Sequence, residues 1–482
     1  MSIHTLMYRT YQIRIKPGHR LYAYLEDSCH NAKNLYNTTN FYIRQLFTAL
    51  KQEEPLQPLQ QQALDTLDIY LDVMNTCLRK KNRNVPFTLP TKEKPFISYR
   101  FLDALFKVMK QTDYRSLPAQ SSQAVMKAVF QAWSSFFTSI REYNKHPQKY
   151  TGRPRIPGYT KSNVKEVFFS NQDCMIKAGK FLKLPKTRLR LNIGKLGCTN
   201  GKLKQVRVVP NHGHYVIELV FSYPQLQHKT SKSHLMAIDL GINNLATIVT
   251  TTGSKPLLVK GKIVKSINQY YNKMKAHYFS ILRQGKQPYK GQYTSKRLER
   301  LHIKRFCRIK DLFHKTSYHI VKLAVEQDIG KIIIGHNMGW KQGTNMGRRN
   351  NQTFCHIPHQ RLIEMIIYKA AEKGIKVELT EEAYTSKASF LDNDPVPQLG
   401  DKGEWGFSGN RIHRGMYRSI KGLINADVNG AANIMRKVFP NVRASRANGI
   451  EGLDDHYVIN VSTPLAVSIL SKRCSARNSH FI

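Results

Sequence analysis

The stretch LMAIDLGINNLATIVTTTG, Leu235–Gly253, decides how the chain is read. An apolar run too short for a helix ends on Asp239, Gly241 lets the backbone turn, and a second β-rich run follows. From there strands and helices alternate: a long basic helical region, the buried strand KIIIG (331–335), the helix RLIEMIIYKAAEKG (361–374) and the strand KVELTEE (376–382). Such alternation predicts an α/β core, largely parallel, with ligands at the carboxyl ends of its strands.

Upstream the pattern differs. TYQIRIKPG (10–18) reads as one strand and a turn, and the region to about residue 145 reads as helical. In SSQAVMKAVFQAWSSFFTSIREY (121–143), Val125, Val129, Phe136 and Ile140 recur at helical spacing behind a serine cap, which predicts a core stripe. NVPFTLPTKEKPF (84–96) is proline-rich and predicts a loop. After TGRPRIPGY (151–159), short β-like runs predict a small sheet or barrel to about residue 230, with the first strand joining it and the helical block inserted.

The 482 residues suffice for about three domains, and 41% hydrophobic residues support buried cores. Against 76 Lys and Arg stand 32 Asp and Glu, a net charge of +44. Self-repulsion of that size predicts a polyanionic partner, nucleic acid. No run of 18 apolar residues exists and no apolar segment follows the start MSIHTLMYRTYQIRIKPG, so the expectation is a soluble, cytoplasmic protein without a membrane partner. Seven scattered cysteines, none at C-x-x-C spacing, predict neither disulfides nor structural zinc. Cys355, His356 and His359 cluster, but Pro358 between them suits a helix boundary better than a metal site.

In SKRLERLHIKRFCRIKDLF (295–313), Leu298, Phe306, Ile309 and Phe313 share one helical face. Arg297, Arg300, Lys304 and Arg308 share roughly the opposite one. Only Glu299 and Asp311 are local acidic partners, so this stripe suits a phosphate backbone.

Scarce carboxylates stand at three element ends: Asp239, the pair Glu381 and Glu382, and Asp427 in NADVNGAANIMRKV (425–438). Singly they read as a turn residue, a solvated pair and a helix cap. Together they match two-metal phosphodiester cleavage, where carboxylates hold ions that activate water and stabilise the leaving oxygen. Hard oxygen ligands suit Mg²⁺ or Mn²⁺.

AIDLGINNLATIV, EEAYTSKAS and NADVNGAANI, with GRPRIP upstream, resemble TnpB, the transposon-encoded RNA-guided nuclease related to the ancestors of type V CRISPR effectors. The resemblance is strongest from Leu235 to Val438. It implies a multidomain α/β and β fold: an amino-terminal wedge-type barrel (1–20 and 146–230) with an inserted helical recognition lobe (21–145). A split RuvC nuclease domain of ribonuclease-H type (231–440) follows. That domain would carry a basic helical insertion at about 261–328 and a cysteine-free replacement of the zinc ribbon at about 386–424, with GNRIHRGMYRS as its candidate, before a tail at 441–482.

It also implies a transposon-derived guide RNA, double-stranded target DNA beside a short flanking motif, and a prokaryotic, nucleoid-associated location. Arg153 and Arg155 join the expected nucleic-acid contacts. The family's middle carboxylate usually ends the strand KIIIGHNMGW, where this chain has Gly335. A relocated ligand, Glu382 or alternatively Glu381, would complete a set with Asp239 and Asp427; the two point to opposite faces of a strand. Without relocation the same fold would be a nuclease-inactive, repressor-like binder. An actin-like ATPase also uses D-x-G after a strand, but charge and the lack of a second Gly-rich phosphate turn argue against it.

Overall fold

The computed structural model describes residues 6–80, 85–194, 201–224, 234–287, 289–337, 347, 355–401, 403–445 and 458–469. The chain is mixed α/β and divides into two compact units, residues 1–225 and 226–477.

The first unit begins with β1 (Leu6–Ile15) and continues through five helices: α1 (Tyr22–Ala49), α2 (Pro58–Arg79), α3 (Tyr99–Val108), α4 (Thr112–Ser116) and α5 (Ala119–Lys145). Six strands follow: β2 (Val167–Ser170), β3 (Met175–Lys177), β4 (Phe181–Lys183), β5 (Arg190–Asn192), β6 (Lys202–Asn211) and β7 (His214–Pro224). The expected barrel does not close among the described strands. β1-β7-β6-β2 form an open antiparallel sheet, and β3-β4-β5 form a separate one, because three-residue strands are too short to wrap a barrel.

Helix α5 starts behind Pro118, two residues before the expected serine cap. Its core stripe runs through Val125, Val129 and Trp133, while Phe136 and Ile140 are only half-buried. Trp133 donates to Asn40 Oδ1 (2.8 Å), and Asn40 Nδ2 and Arg44 Nη1 donate to the Pro157 carbonyl (3.1 and 2.6 Å). The loop carrying Arg153 and Arg155 is thereby anchored on α1, with both arginines exposed.

The second unit contains β8 (His234–Asp239), β9 (Asn244–Thr250), β10 (Leu257–Lys260), α6 (Lys262–Arg283), α7 (Lys296–Glu326), β11 (Ile329–Gly335), α8 (His359–Ala371) and β12 (Lys376–Thr380). Then come β13 (Asn410–His413), β14 (Met416–Ser419), β15 (Gly422–Asn425), α9 (Ala426–Val438), β16 (Arg443–Ser445), β17 (Val458–Asn460) and β18 (Leu465–Val467). The main sheet has the order β12-β11-β8-β9-β10-β18. It is mixed rather than largely parallel: β9 runs antiparallel to both β8 and β10. The expected tail after residue 440 instead supplies β18, which pairs parallel with β10; residues 446–457 and 470–482 of that segment lie outside the described residues.

Alternation sorts the two faces. Met236, Ile238, Ile332 and Ile334 pack in one core with residues of α6, α7 and α8. Ala237, Ile333 and Val249 pack in the other with Val428, Ala431, Ala432 and Met435 of α9. Asp239, two residues beyond Ala237, therefore belongs to the α9 side. Among the described residues no helix is long and apolar enough to cross a membrane.

Candidate active site

Register brings the acids to one end of the sheet. Ile334 pairs with Ile238, and Gly335 pairs with Thr380. Asp239 and Gly335 thus end neighbouring strands at one level, and Glu381 and Glu382 follow β12 just beyond. Asp427 arrives from the far side of the sequence on the first turn of α9. Asn425 caps that helix, its Oδ1 accepting from the amides of Asp427 (3.0 Å) and Val428 (3.2 Å).

Gly335 explains the position of Glu382. A Cβ at residue 335 would stand 2.6 Å from Glu382 Oε1, 2.8 Å from its Cγ and 2.5 Å from Ile434 Cδ1. The Glu382 side chain fills the space that a side chain from β11 would take. Gly430 on α9 plays the matching part for Asp239, whose Oδ2 lies 3.2 Å from where its Cβ would be.

The glutamates have separate roles. Glu381 pairs with Lys437 through Oε1 and accepts the Ala383 amide at Oε2 (2.9 Å). Glu382 is tethered through its backbone, its amide donating to Asn337 Oδ1 (2.8 Å) and its carbonyl accepting from Thr385 Oγ1 (2.9 Å), and among the described residues its buried Oε1 has no hydrogen-bond donor. Burial, then repulsion from Asp239 and Glu381, push the Glu382 carboxyl up to about 8, with Lys437 opposing. Burial and then Asp427 push Asp239 up to about 7, with Arg411 opposing.

Asp427 is fully engaged: Oδ1 accepts from Arg411 Nη2 (2.9 Å) and Oδ2 from Asn244 Nδ2 (2.7 Å). Asp239, Asp427, Asn244, Arg411 and Arg414 line one concave pocket; Glu382 does not. Among the described residues, no three His, Cys, Asp or Glu side chains converge closely enough to hold a metal ion. The acids form a row in which Asp427 raises the cost of ionising Asp239, and Asp239 that of Glu382.

Arg411 and Asn244 were not singled out in the sequence. Arg411 reaches Asp427 because β13 pairs with β14, β14 with β15, and β15 runs directly into α9. The sheet β13-β14-β15 is held by two carboxylates. Asp394 Oδ2 accepts the amides of Ser389 (2.7 Å) and Ser408 (3.0 Å), and its Oδ1 accepts Ser408 Oγ (2.5 Å). Asp392 accepts the amides of Ile420 (3.0 Å) and Lys421 (3.1 Å) and the Ser389 hydroxyl (2.7 Å). One end of the sheet, where residue 408 enters β13 beside the β14–β15 turn at 420–421, is thus tied to residues 389–394 by carboxylates. Asn429 and Asn433 of the NADVNGAAN motif face inward: Asn429 accepts the Phe390 amide (2.9 Å), and both donate to the Ala388 carbonyl (2.8 and 2.7 Å). Their role is to fasten α9 to the segment after β12.

The other site expectations fall elsewhere. Arg297, Arg300 and Lys304 are exposed and Arg308 half-exposed along α7; Leu298, Ile309 and Phe313 are buried. Phe306 departs from the expected apolar face: it is 38% exposed, with the Arg361 guanidinium 4.9 Å from its ring centre. Buried His359 at the start of α8 lies 3.1 Å through Nε2 from the Gly241 carbonyl, bracing the turn behind Asp239.

Residues 214–341 match the family OrfB_IS605, described as a probable transposase, and residues 359–434 match the Cas12f1-like TNB domain. A TnpB-like protein, ORF457 of Acidianus two-tailed virus, is 25% identical over 358 residues, 67% of this chain and 74% of that protein. A cryo-EM structure of a Cas12f1–sgRNA–target DNA complex aligns at TM-score 0.45 and 12% identity, covering 89% of this chain and 98% of that one. A crystal structure of Alicyclobacillus acidoterrestris C2c1 with single-guide RNA aligns at TM-score 0.29 and 10% identity, covering 84% and 70%.

Proposed function

We propose, from the premise that the chain is TnpB-like, that it is an RNA-guided DNA endonuclease of a transposable element, with a split RuvC-type nuclease in its second unit. Its partners in this reading are a transposon-derived guide RNA and double-stranded target DNA beside a short flanking motif. Base pairing would select the target while the protein reads the flanking motif and the backbone.

The observation that carries the reading is the site's demand for a cation. In a chain of net charge +44, Asp239 and Glu382 are packed so that both carboxyls are pushed towards neutral pH, and one buried Glu382 oxygen has no donor. Mg²⁺ or Mn²⁺ suits such an all-oxygen donor set, and Asp239, Glu382 and Asp427 would hold it. When bound, the metal would supply Lewis-acid activation of water and stabilisation of the leaving oxygen. Asp427 becomes available when Arg411 lets go, and the freed guanidinium then faces the pocket where a scissile phosphate would lie. Lys437 keeps Glu381 out of the ligand set.

A second reading, a binding protein without cleavage activity, is favoured by the Arg411–Asp427 ion pair and the absence of three converging acids among the described residues. RNA co-purified with the chain from its own locus would be sequenced, and the complex tested on a plasmid library carrying the matching target. Mg²⁺-dependent cleavage supports the nuclease; target retention without cleavage under Mg²⁺ or Mn²⁺ supports the binder. Failure to retain RNA would sink both.

A further inference from the structure

We propose that the shallow groove between α6 and α7 seats one unpaired nucleobase, its π face on Tyr270 and its flanking phosphate between Lys304 and Arg308. This rests on the nucleic-acid part of the reading above and is independent of cleavage. The groove has an apolar floor and a cationic rim. Ile267, Tyr271 and Leu301 form the floor, each at most 7% exposed, and Lys304 and Arg308 line the same groove.

The floor is rigidly braced. Tyr271 Oη lies 2.8 Å from His302 Nδ1, and the Arg305 guanidinium stands 4.9 Å from the Tyr271 ring centre. Arg305 Nε donates to Asn268 Oδ1 and its Nη2 to the His356 carbonyl, each at 2.7 Å. Arg305 is therefore spent internally, while its neighbours on α7 face outward. Tyr270 is 49% exposed on a well-packed helix, with Lys304 Nζ 5.8 Å from its ring centre. Among the described residues neither Lys304 nor Arg308 has an acidic partner within ion-pair distance.

A phosphate alone would satisfy the rim and leave the exposed Tyr270 ring uncovered; an apolar ligand would do the reverse. A nucleotide satisfies both, since its base offers a flat apolar face and its backbone an anion. In a duplex the base faces are already stacked, so the fitting ligand is an unpaired base. RNA and DNA strands share this chemistry.

The test uses the full chain with short single strands of RNA and of DNA of one sequence, each containing 2-aminopurine, and with the blunt duplex. Stacking on an aromatic ring is worth about 1–3 kcal/mol per base, so Tyr270→Ala should weaken single-strand binding by about 5- to 150-fold with an unchanged salt slope. Tyr270→Trp should restore affinity and quench the 2-aminopurine. Lys304→Ala with Arg308→Ala should instead lower the salt slope, by ~0.7 for each phosphate no longer neutralised. A response with only RNA or only DNA identifies the source and supports the seat. An affinity within about two-fold of wild type for both strands in Tyr270→Ala overturns the seat and leaves the nucleic-acid reading standing. An equal loss on the duplex overturns it in favour of plain backbone binding. A wild-type chain that binds no strand removes both.

Discussion

Glu381 and Glu382 are neighbours with opposite environments, and substitution should separate them. Glu382→Gln removes the charge of the orphaned carboxylate while keeping its size; DNA cleavage by the loaded complex should fall by several orders of magnitude with target binding retained. Glu381→Gln should leave cleavage chemistry largely intact but strand Lys437, whose side chain is 4% exposed, lowering stability by on the order of 1–3 kcal/mol in thermal melts. The reverse pattern would exchange the two assignments. The raised carboxyls add a pH signature. A carboxyl whose folded value lies above its unfolded one binds its proton more tightly when folded, so its stabilising contribution is present at low pH and lost as pH rises through the folded value. For Glu382 and Asp239 that loss runs from the ordinary carboxylate range up to about 8 and about 7. In chelator, Glu382→Gln should therefore gain in melting temperature relative to wild type as pH rises through this window, and Mg²⁺ should reverse the gain. An unchanging difference would remove Glu382 from the charged cluster. Asp239 and Asp427 were legible because each stands at the edge of a plain pattern, an apolar run or a helix start. The choice of Glu382 over Glu381 was not, since it depends on Gly335 leaving room beside it.

At the scale of elements, the small sheet β13-β14-β15 links the acids to Arg411, and the Asp392–Asp394 clasp holds it. Burial pushes the Asp392 carboxyl up, but hydrogen bonds from Ser389, Ile420, Ser408 and Lys421 outweigh it and hold the group below its ordinary value. Asp394→Ala would orphan the buried Ser389 amide, a penalty of about 1–3 kcal/mol, and release the exposed Ser408. Proteolysis between residues 395 and 425 should quicken, and cleavage should fall with Arg411 displaced, while single-strand binding stays. Unaltered proteolysis and cleavage would show that the clasp is dispensable. The hydrophobic periodicity that revealed the strands of the main sheet was of little use here, because Ile412 and Leu423 are exposed while Tyr417 and Ile424 reach the core as isolated residues of short strands. The barrel stays open among the described strands, and alternation could not foretell this, since it marks strands but not whether their last edges meet.

At the scale of the molecule the charge dominates. Reversing Arg300, Lys304 and Arg308 to Glu should weaken guide RNA binding and flatten its dependence on salt, by ~0.7 in log–log slope for each single-strand phosphate left without its cation, or ~0.9 on duplex. Equal affinity and slope would take α7 out of the interface. The net charge was legible at once, whereas the role of the last segment was not: LAV at 465–467 is too short to register as a strand until β10 is there to pair with it.

That pairing also dictates an order of assembly. β8, β9 and β10 pair through short turns, but the other edge of β10 waits for β18 some two hundred residues further along, and that of β8 for β11 beyond both basic helices, so the six-stranded sheet is completed only by closing large loops. Local structure folds ahead of such high-contact-order pairings. In pulse-labelled refolding the amides of α6 and α7 should be protected before those of β11 and β18; simultaneous protection would contradict this sequence of events. The end of the sheet that carries the acids is then among the last parts to form, so under the proposed nuclease reading a half-folded chain would meet nucleic acid before it could cut it.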